Sequence, residues 1–321
     1  MKKLIVSSAP HIHCGETVQG IMLDVLVALA PATLAGVYFF GLKALMLYTV
    51  CIAVCVVTEW LYQRICGFKI TIKDLSAIVT GLLLAMVLPP QTPWWVAAIG
   101  GFVSIFVAKQ VFGGIGYNIF NPALVGRAFL LASWPVYLTS WSEPAKLMSG
   151  NWFSLTDAVS TATPLTLAKN GEYTTKLADL FFGNVGGCVG ETSAIALLLG
   201  AAYLFYRGHI SWHIPLPYVG TVALLTWVMG ENGVFTGHPL FHVLAGGLIL
   251  GAFFMATDMV TSPVTGRGKV IFGIGAGILV VLIRKFGGYP EGVCYSILLM
   301  NAAVPLIDRL CIARRFGEVR A

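Results

Sequence analysis

The chain has 321 residues, of which 57% are hydrophobic and only 11% charged, with a formal net charge of +6. A soluble domain of this size does not need to be so apolar, so the composition makes a lipid bilayer the solvent. Apolar runs close to the ~20 residues that cross a bilayer, none with strand-like alternation, exclude a β-barrel, and no aromatic-interleaved basic patch points to nucleic acid.

Residues 1–19 are mixed and polar, with His11, His13, Cys14 and Glu16. They lack the basic start, apolar run and cleavage site of a signal peptide, so the first span is expected to stay. Apolar segments then follow at 21–40, 42–61, 75–88, 94–112, 122–137, 192–206, 214–229, 238–255, 270–283 and 293–310. The expected fold is all-α and integral to the membrane, with about ten transmembrane helices. It divides into an N-terminal tail with a first five-helix repeat (1–139), a polar outer loop (140–191), and a second five-helix repeat with the C-terminus (192–321).

The two halves share an order of small residues. Gly81-Leu-Leu-Leu has a counterpart in Gly247-Leu-Ile-Leu, and Gly101 with Gly113-Gly114 has one in Gly275 with Gly287-Gly288. Five spans per half make the second repeat enter the membrane inverted. Residues 75–88 would reach only about 21 Å as a helix before Pro89-Pro90 stop it, which is too short to span alone. The counterpart ends in Asp258, Thr261, Ser262 and Pro263. Broken helices of this kind are tolerated where backbone faces protein or a cavity, so a buried cofactor or ion site is expected between the halves.

With the N-terminus inside, Lys2, Lys3, Arg64, Lys69, Lys73, Lys109, Arg207, Arg267, Lys269, Arg309, Arg314, Arg315 and Arg320 fall on the inner side. Lys43, Lys146, Lys169, Lys176, Arg284 and Lys285 fall outside. That asymmetry predicts a multi-pass protein with both termini cytoplasmic and the long loop on the outer face.

The outer loop reads Asp157-Ala-Val-Ser160-Thr161-Ala162-Thr163-Pro164-Leu165. As residues alone, these are a Ser/Thr-rich turn or helix cap, or a hydroxyl exposed enough to carry flavin mononucleotide (FMN) through its phosphate. Arg127, inside a span, needs a carboxylate, helix-end carbonyls or a flavin phosphate as partner. Asp258, Thr261 and Ser262 offer oxygens to a flavin or a hard cation, or else cap the broken backbone. Asp24 and Glu59 read as interfacial, and His238 and His242 as core or interfacial histidines, since no glutamate follows His238 as a metalloprotease needs. The seven cysteines form no Cys-x-x-Cys, and most read as small core residues.

Asp-x-x-Ser-x-Ala-Thr followed by Pro-Leu resembles the flavinylation motif shared by the D subunit of Rnf complexes and the B subunit of sodium-pumping NADH:quinone oxidoreductases. Three further segments, beginning at Phe112, Asp258 and Tyr289, resemble that family too, and the compact length is closer to the Rnf subunit. Thr161 stands where the motif usually has glycine. The resemblance implies FMN esterified to Thr163, with Asp157, Ser160, Arg127, Asp258, Thr261 and Ser262 as further cofactor residues. It also implies a second, non-covalent flavin such as riboflavin between the repeats. By the same resemblance the chain passes electrons within a bacterial inner-membrane complex that couples ferredoxin and NAD to Na+ or H+ movement. Its partners would be a flavin-bearing subunit, iron–sulfur subunits and a flavin transferase. The competing reading is a stand-alone channel or secondary transporter, because carriers share inverted repeats with broken helices.

Overall fold

The computed structural model describes residues 16–142, 144, 162–169, 171–230, 233–289 and 291–312. Thr17 opens α1 (Val18–Ile65), its hydroxyl accepting from Gly20 N–H at 3.1 Å. The helix is apolar throughout its 48 residues, yet Gly41 breaks it at φ 61°, ψ −140°, a conformation glycine adopts without Cβ strain. A Cβ at Gly36 would lie 2.5 Å from the Tyr48 hydroxyl, whereas in one straight helix these residues would be about 18 Å apart along the axis. The arms 18–40 and 42–65 are therefore an antiparallel hairpin, matching the spans expected at 21–40 and 42–61.

After the hairpin comes α2 (Ser76–Met86), which at 11 residues rises only about 16 Å. It ends before Pro89-Pro90 as the sequence predicts. Its last carbonyls are satisfied by distant chain: Gly190 N–H donates to Met86 O at 2.8 Å, and Val189 N–H to Leu88 O at 3.0 Å. Pairing of this kind lets a helix end sit among apolar side chains. Next, α3 (Trp94–Ile105) runs on into a π-helical turn, Phe106–Gln110. The Asn121 side chain caps α4 (Pro122–Ser133), and α5 (Pro135–Leu138) follows.

Two short helices, α6 (Pro164–Lys169) and α7 (Leu177–Phe182), lead into α8 (Ala194–Arg207) and α9 (Pro215–Val228). The span expected at 238–255 is in pieces: α10 (Pro239–Leu244), α11 (Leu248–Leu250) and a second π-helical turn, Gly251–Met255. Gly246, at φ 71°, makes the break. The long helices α12 (Gly266–Phe286) and α13 (Val293–Leu310) complete the bundle.

Among the described residues, α1, α12 and α13 are long and apolar enough to cross a membrane, and five further apolar helices are shorter. Large apolar side chains also cover the outside of the bundle, among them Leu34, Val57, Leu199, Leu216, Leu224 and Leu306. An apolar surface around an apolar core is that of a multi-pass membrane protein.

Packing follows one scheme in each half. The second arm of α1 runs parallel to α3, with Cys51 and Cys55 over the Ala97 and Gly101 carbonyls, and α3 meets α4 antiparallel where Gly100 and Gly126 admit Leu130 and Ser104. Likewise α9 runs parallel to α12, Ile214 and Tyr218 lying against Gly273 and Gly277, and α12 meets α13 antiparallel. The halves join along α1 and α8. There Gly200 sits so close to the Ala28 carbonyl that a Cβ would fall on that oxygen. Gly200→Ala is expected to cost about 1–3 kcal/mol through forced separation of the helices, seen as a lower thermal-unfolding midpoint in detergent. Gly220→Ala, with nothing within 4 Å of the added methyl, should leave the midpoint unchanged or raise it slightly.

Candidate functional site

The sequence-predicted residues fall into two places. Midway along α4, Arg127 is 6% exposed and is gripped by two carboxylates from distant parts of the chain. Its Nη1 donates to Glu191 Oε1 at 3.0 Å, and its Nη2 to Glu291 Oε2 and, at 3.6 Å, to Cys188 Sγ. Of the partners left open by the sequence, carboxylates hold this cation. Nothing local in the sequence marks Glu191, Glu291 or Cys188, which lie 64, 164 and 61 residues from Arg127. The one available signal is a lone glutamate just ahead of each apolar run.

Thr163 belongs to the same neighbourhood, sharing a small pocket with Glu191, Thr192, Gly246 and Glu291. The expectation that its hydroxyl is exposed is corrected: Thr163 is 6% exposed, because Pro164 and Leu165 pack α6 into the bundle beside Ala168, Leu180, Phe241 and Ala245. Its Oγ1 lies 2.8 Å from Thr166 Oγ1 and accepts from Thr166 N–H at 3.2 Å, so it caps the first turn of α6. Asp157, Ser160 and Thr161 lie outside the described residues.

Beside this hydroxyl pair opens a cavity of about 480 Å³, lined by Ala162, Thr166, Trp141, Tyr289, Tyr295, Arg127 and Glu291, with leucines from α4 and α5. Flat aromatic walls, one guanidinium and one carboxylate suit a planar heteroaromatic ring bearing polar edges. Glu291 lines both this cavity and the Thr163 pocket.

Asp258, Thr261 and Ser262 form the second place, at the other end of the bundle. Asp258 Oδ1 accepts from Val260 N–H at 3.3 Å, and Oδ2 from the Thr261 hydroxyl at 3.1 Å, so the carboxylate caps the chain as it leaves the π-helical turn. Asn121 Nδ2 donates to Met255 O at 3.3 Å. Asn301, in the amide orientation that satisfies every neighbour, donates to Ile297 O and Thr261 O and accepts from Asn121 N–H. Two asparagines from different halves thus hold the broken segment. The adjoining cavity, about 140 Å³, is lined by Ser76, Thr80, Lys109, Asn118, Asn121 and Asp258, and otherwise mainly by apolar side chains of α1, α2, α8 and the second π-helical turn.

Asp24 and Glu59 are not merely interfacial. Asp24 is buried and accepts from Tyr203, Arg207 and His209 at 2.8, 2.9 and 2.6 Å, fastening α1 to α8. Glu59 pairs with Lys109 at 2.7 Å, both almost fully buried. His242 lies within 3.4 Å of the Tyr173 hydroxyl.

A helical bundle with broken segments and an apolar outer surface defines a multi-pass membrane protein, and comparison with known sequences narrows that class. The chain belongs to the NQR2, RnfD, RnfE family, whose model matches residues 5–317. It is 50% identical to the D subunit of the proton-translocating ferredoxin:NAD(+) oxidoreductase complex of Clostridium ljungdahlii, over 98% of this chain and 96% of the relative. It is 48% identical to the D subunit of the Na(+)-translocating ferredoxin:NAD(+) oxidoreductase complex of Acetobacterium woodii, over 99% and 96%. A third relative, the D subunit of the ion-translocating oxidoreductase complex of Stutzerimonas stutzeri, is 39% identical over 94% and 93%.

Proposed function

We propose that this chain is the flavin-bearing D subunit of an Rnf-type ferredoxin:NAD oxidoreductase, carrying FMN esterified to Thr163 and a second, non-covalent flavin at the inner cavity. The observation that carries the reading is Thr163 itself. Its Oγ1 is placed to accept from two groups of Thr166, as an ester oxygen without a hydrogen must, and Thr166 lines the aromatic cavity. The residues present fit the group: Trp141, Tyr289 and Tyr295 would flank its ring, while Arg127 and Glu291 would meet its polar edge. FMN supplies the electron-carrying chemistry when bound, and the chain supplies position, exclusion of water and local charge. On this reading the transferase acts before α6 docks, because Thr163 is 6% exposed in the folded chain. At the inner cavity, Ser76, Asn118, Asn121 and Asp258 would hold the second flavin by hydrogen bonds.

The two halves act as inverted five-helix repeats around these sites. What supports this is the shared packing scheme: second and fourth spans parallel, fourth and fifth antiparallel, and the first spans of each half, α1 and α8, antiparallel to each other. Arg64, Lys69, Lys73, Arg207, Arg267 and Lys269 flank the helix ends nearest the inner cavity, which favours that side as cytoplasmic and the Thr163 side as outer. Iron–sulfur subunits and a second flavin-bearing subunit are the partners of this reading. Relatives of nearly equal identity carry names with different ions, so the pumped ion does not follow from overall identity.

The test is denaturing gel electrophoresis under ultraviolet light, with the flavin transferase co-expressed. Wild type and Thr161→Val are expected to give a fluorescent band and Thr163→Val none. Flavin absent from the wild type while the protein moves solute by itself would leave the channel or transporter reading instead.

A further inference from the structure

A separate cavity of about 300 Å³ opens where the C-terminal ends of α9 and α12 meet α6 and α10. Its polar lining is Lys169, Arg284, Lys285, His242, Tyr173 and Thr226, with no carboxylate among the lining residues. Each cation caps a chain end. Lys285 Nζ donates to the Met229 carbonyl at 3.4 Å and Lys169 to that of Gly287, while Arg284 holds the His242, Ala245 and Glu291 carbonyls at 2.6, 3.2 and 3.4 Å. Capping is the ordinary work of cations at helix C-termini. It leaves much unused here, because a lysine ammonium has three donor hydrogens and each of these makes one such bond.

Three further observations point to an anion. Among the described residues, none of the three cations forms an ion pair, and the two carboxylates that act on Arg284 from a distance, Glu191 and Glu291, are bonded to Arg127 instead. Arg284 is 6% exposed, so one charge of the set is buried. His242 Nδ1 is buried with no partner, while its other ring nitrogen faces Tyr173. A guanidinium and two ammoniums converging without an acid suit a tetrahedral oxyanion.

We propose that this cavity binds a phosphate group, and that its source is the headgroup of an anionic phospholipid. The same helix ends expose Leu224 and Trp227 on α9 and Leu282 and Phe286 on α12, which gives acyl chains an apolar path away from the cations.

The test uses the purified complex in phosphatidylcholine nanodiscs containing a minor fraction of phosphatidylglycerol, with lipids retained after detergent extraction counted by native mass spectrometry. Wild type is expected to keep phosphatidylglycerol, and Lys169→Gln/Lys285→Gln to lose it by about tenfold or more. Lys176→Gln, an exposed lysine of the same connecting segment outside the cavity, should behave as wild type. Arg284 stays in place because its loss would strip three carbonyls. In phosphatidylcholine alone, a rise in unfolding midpoint with inorganic phosphate, absent from the double variant and unaccompanied by lipid retention, would make the source a soluble phosphate at the same site. Equal retention in the double variant and the Lys176→Gln control, with no phosphate response in either, would overturn the site. Thr163→Val separates this site from the flavin reading. Retention there supports the proposal, and loss together with the flavin would assign the cations to the flavin's own phosphate and overturn it.

Discussion

Arg127→Leu is expected to destabilise the bundle by about 3–5 kcal/mol, the range found when one member of a buried ion cluster is removed. Glu191 and the Arg127 side chain are nearly sealed from solvent, and Glu291 is only 20% exposed, so the substitution leaves two carboxylates facing each other with no cation between them. The cost is mainly the uncompensated charge rather than the lost contact. Two variants separate these causes. Adding Glu191→Gln and Glu291→Gln to Arg127→Leu should recover most of the unfolding midpoint, because neutral amides are far cheaper to bury than ionised carboxyls. Arg127→Lys should retain part of the stability, since one ammonium replaces the charge but cannot fork to both glutamates. An Arg127→Leu protein no less stable than the triple variant would show that the uncompensated charge is not the source of the cost. Flavin fluorescence in the gel assay is expected to persist in any of these that folds, because Thr163 is held by α6 and not by Arg127.

How much of this is legible in the sequence depends on the range of each interaction. Apolar run length places the apolar helices, including the hairpin around Gly41, since that signal lies within one segment. Proline placement likewise locates the end of α2 at Met86. The breaks within 238–255 are only half visible, because Leu, Ile and Phe continue through Gly246 and Gly247 as if one helix ran on. Arg127 announces that it needs a partner without naming one, as the partners come from two connecting segments far along the chain. Asp258, Thr261 and Ser262 are grouped by simple proximity, yet in the fold Asp258 and Thr261 bond to each other and to local backbone. The polar residues before Thr163 suggest an exposed hydroxyl. The two residues after it reverse that, because Pro164 and Leu165 begin a helix that buries it.

Lys109→Met is expected to cost about 3–5 kcal/mol for a related reason on the opposite side of the bundle. Lys109 Nζ lies 2.7 Å from Glu59 Oε2 and 2.6 Å from Ser76 Oγ, so one ammonium joins the second arm of α1, the start of α2 and the end of α3. Without it, Glu59 keeps only the neutral donors Gln63 and Thr71, at 3.3 and 3.4 Å. Glu59→Gln added to Lys109→Met should restore stability to about the wild-type level, measured by the unfolding midpoint in detergent. Stability and function are expected to part company in that double variant. Lys109 sits on the π-helical turn Phe106–Gln110, whose extra residue rotates the side chain relative to an unbroken helix and lets it line the inner cavity as well as reach Glu59. If the cation serves the second flavin, the restored double variant will still release less non-covalent flavin on denaturation than wild type. Full flavin content in a stable protein lacking Lys109 would confine this lysine to holding three helices together.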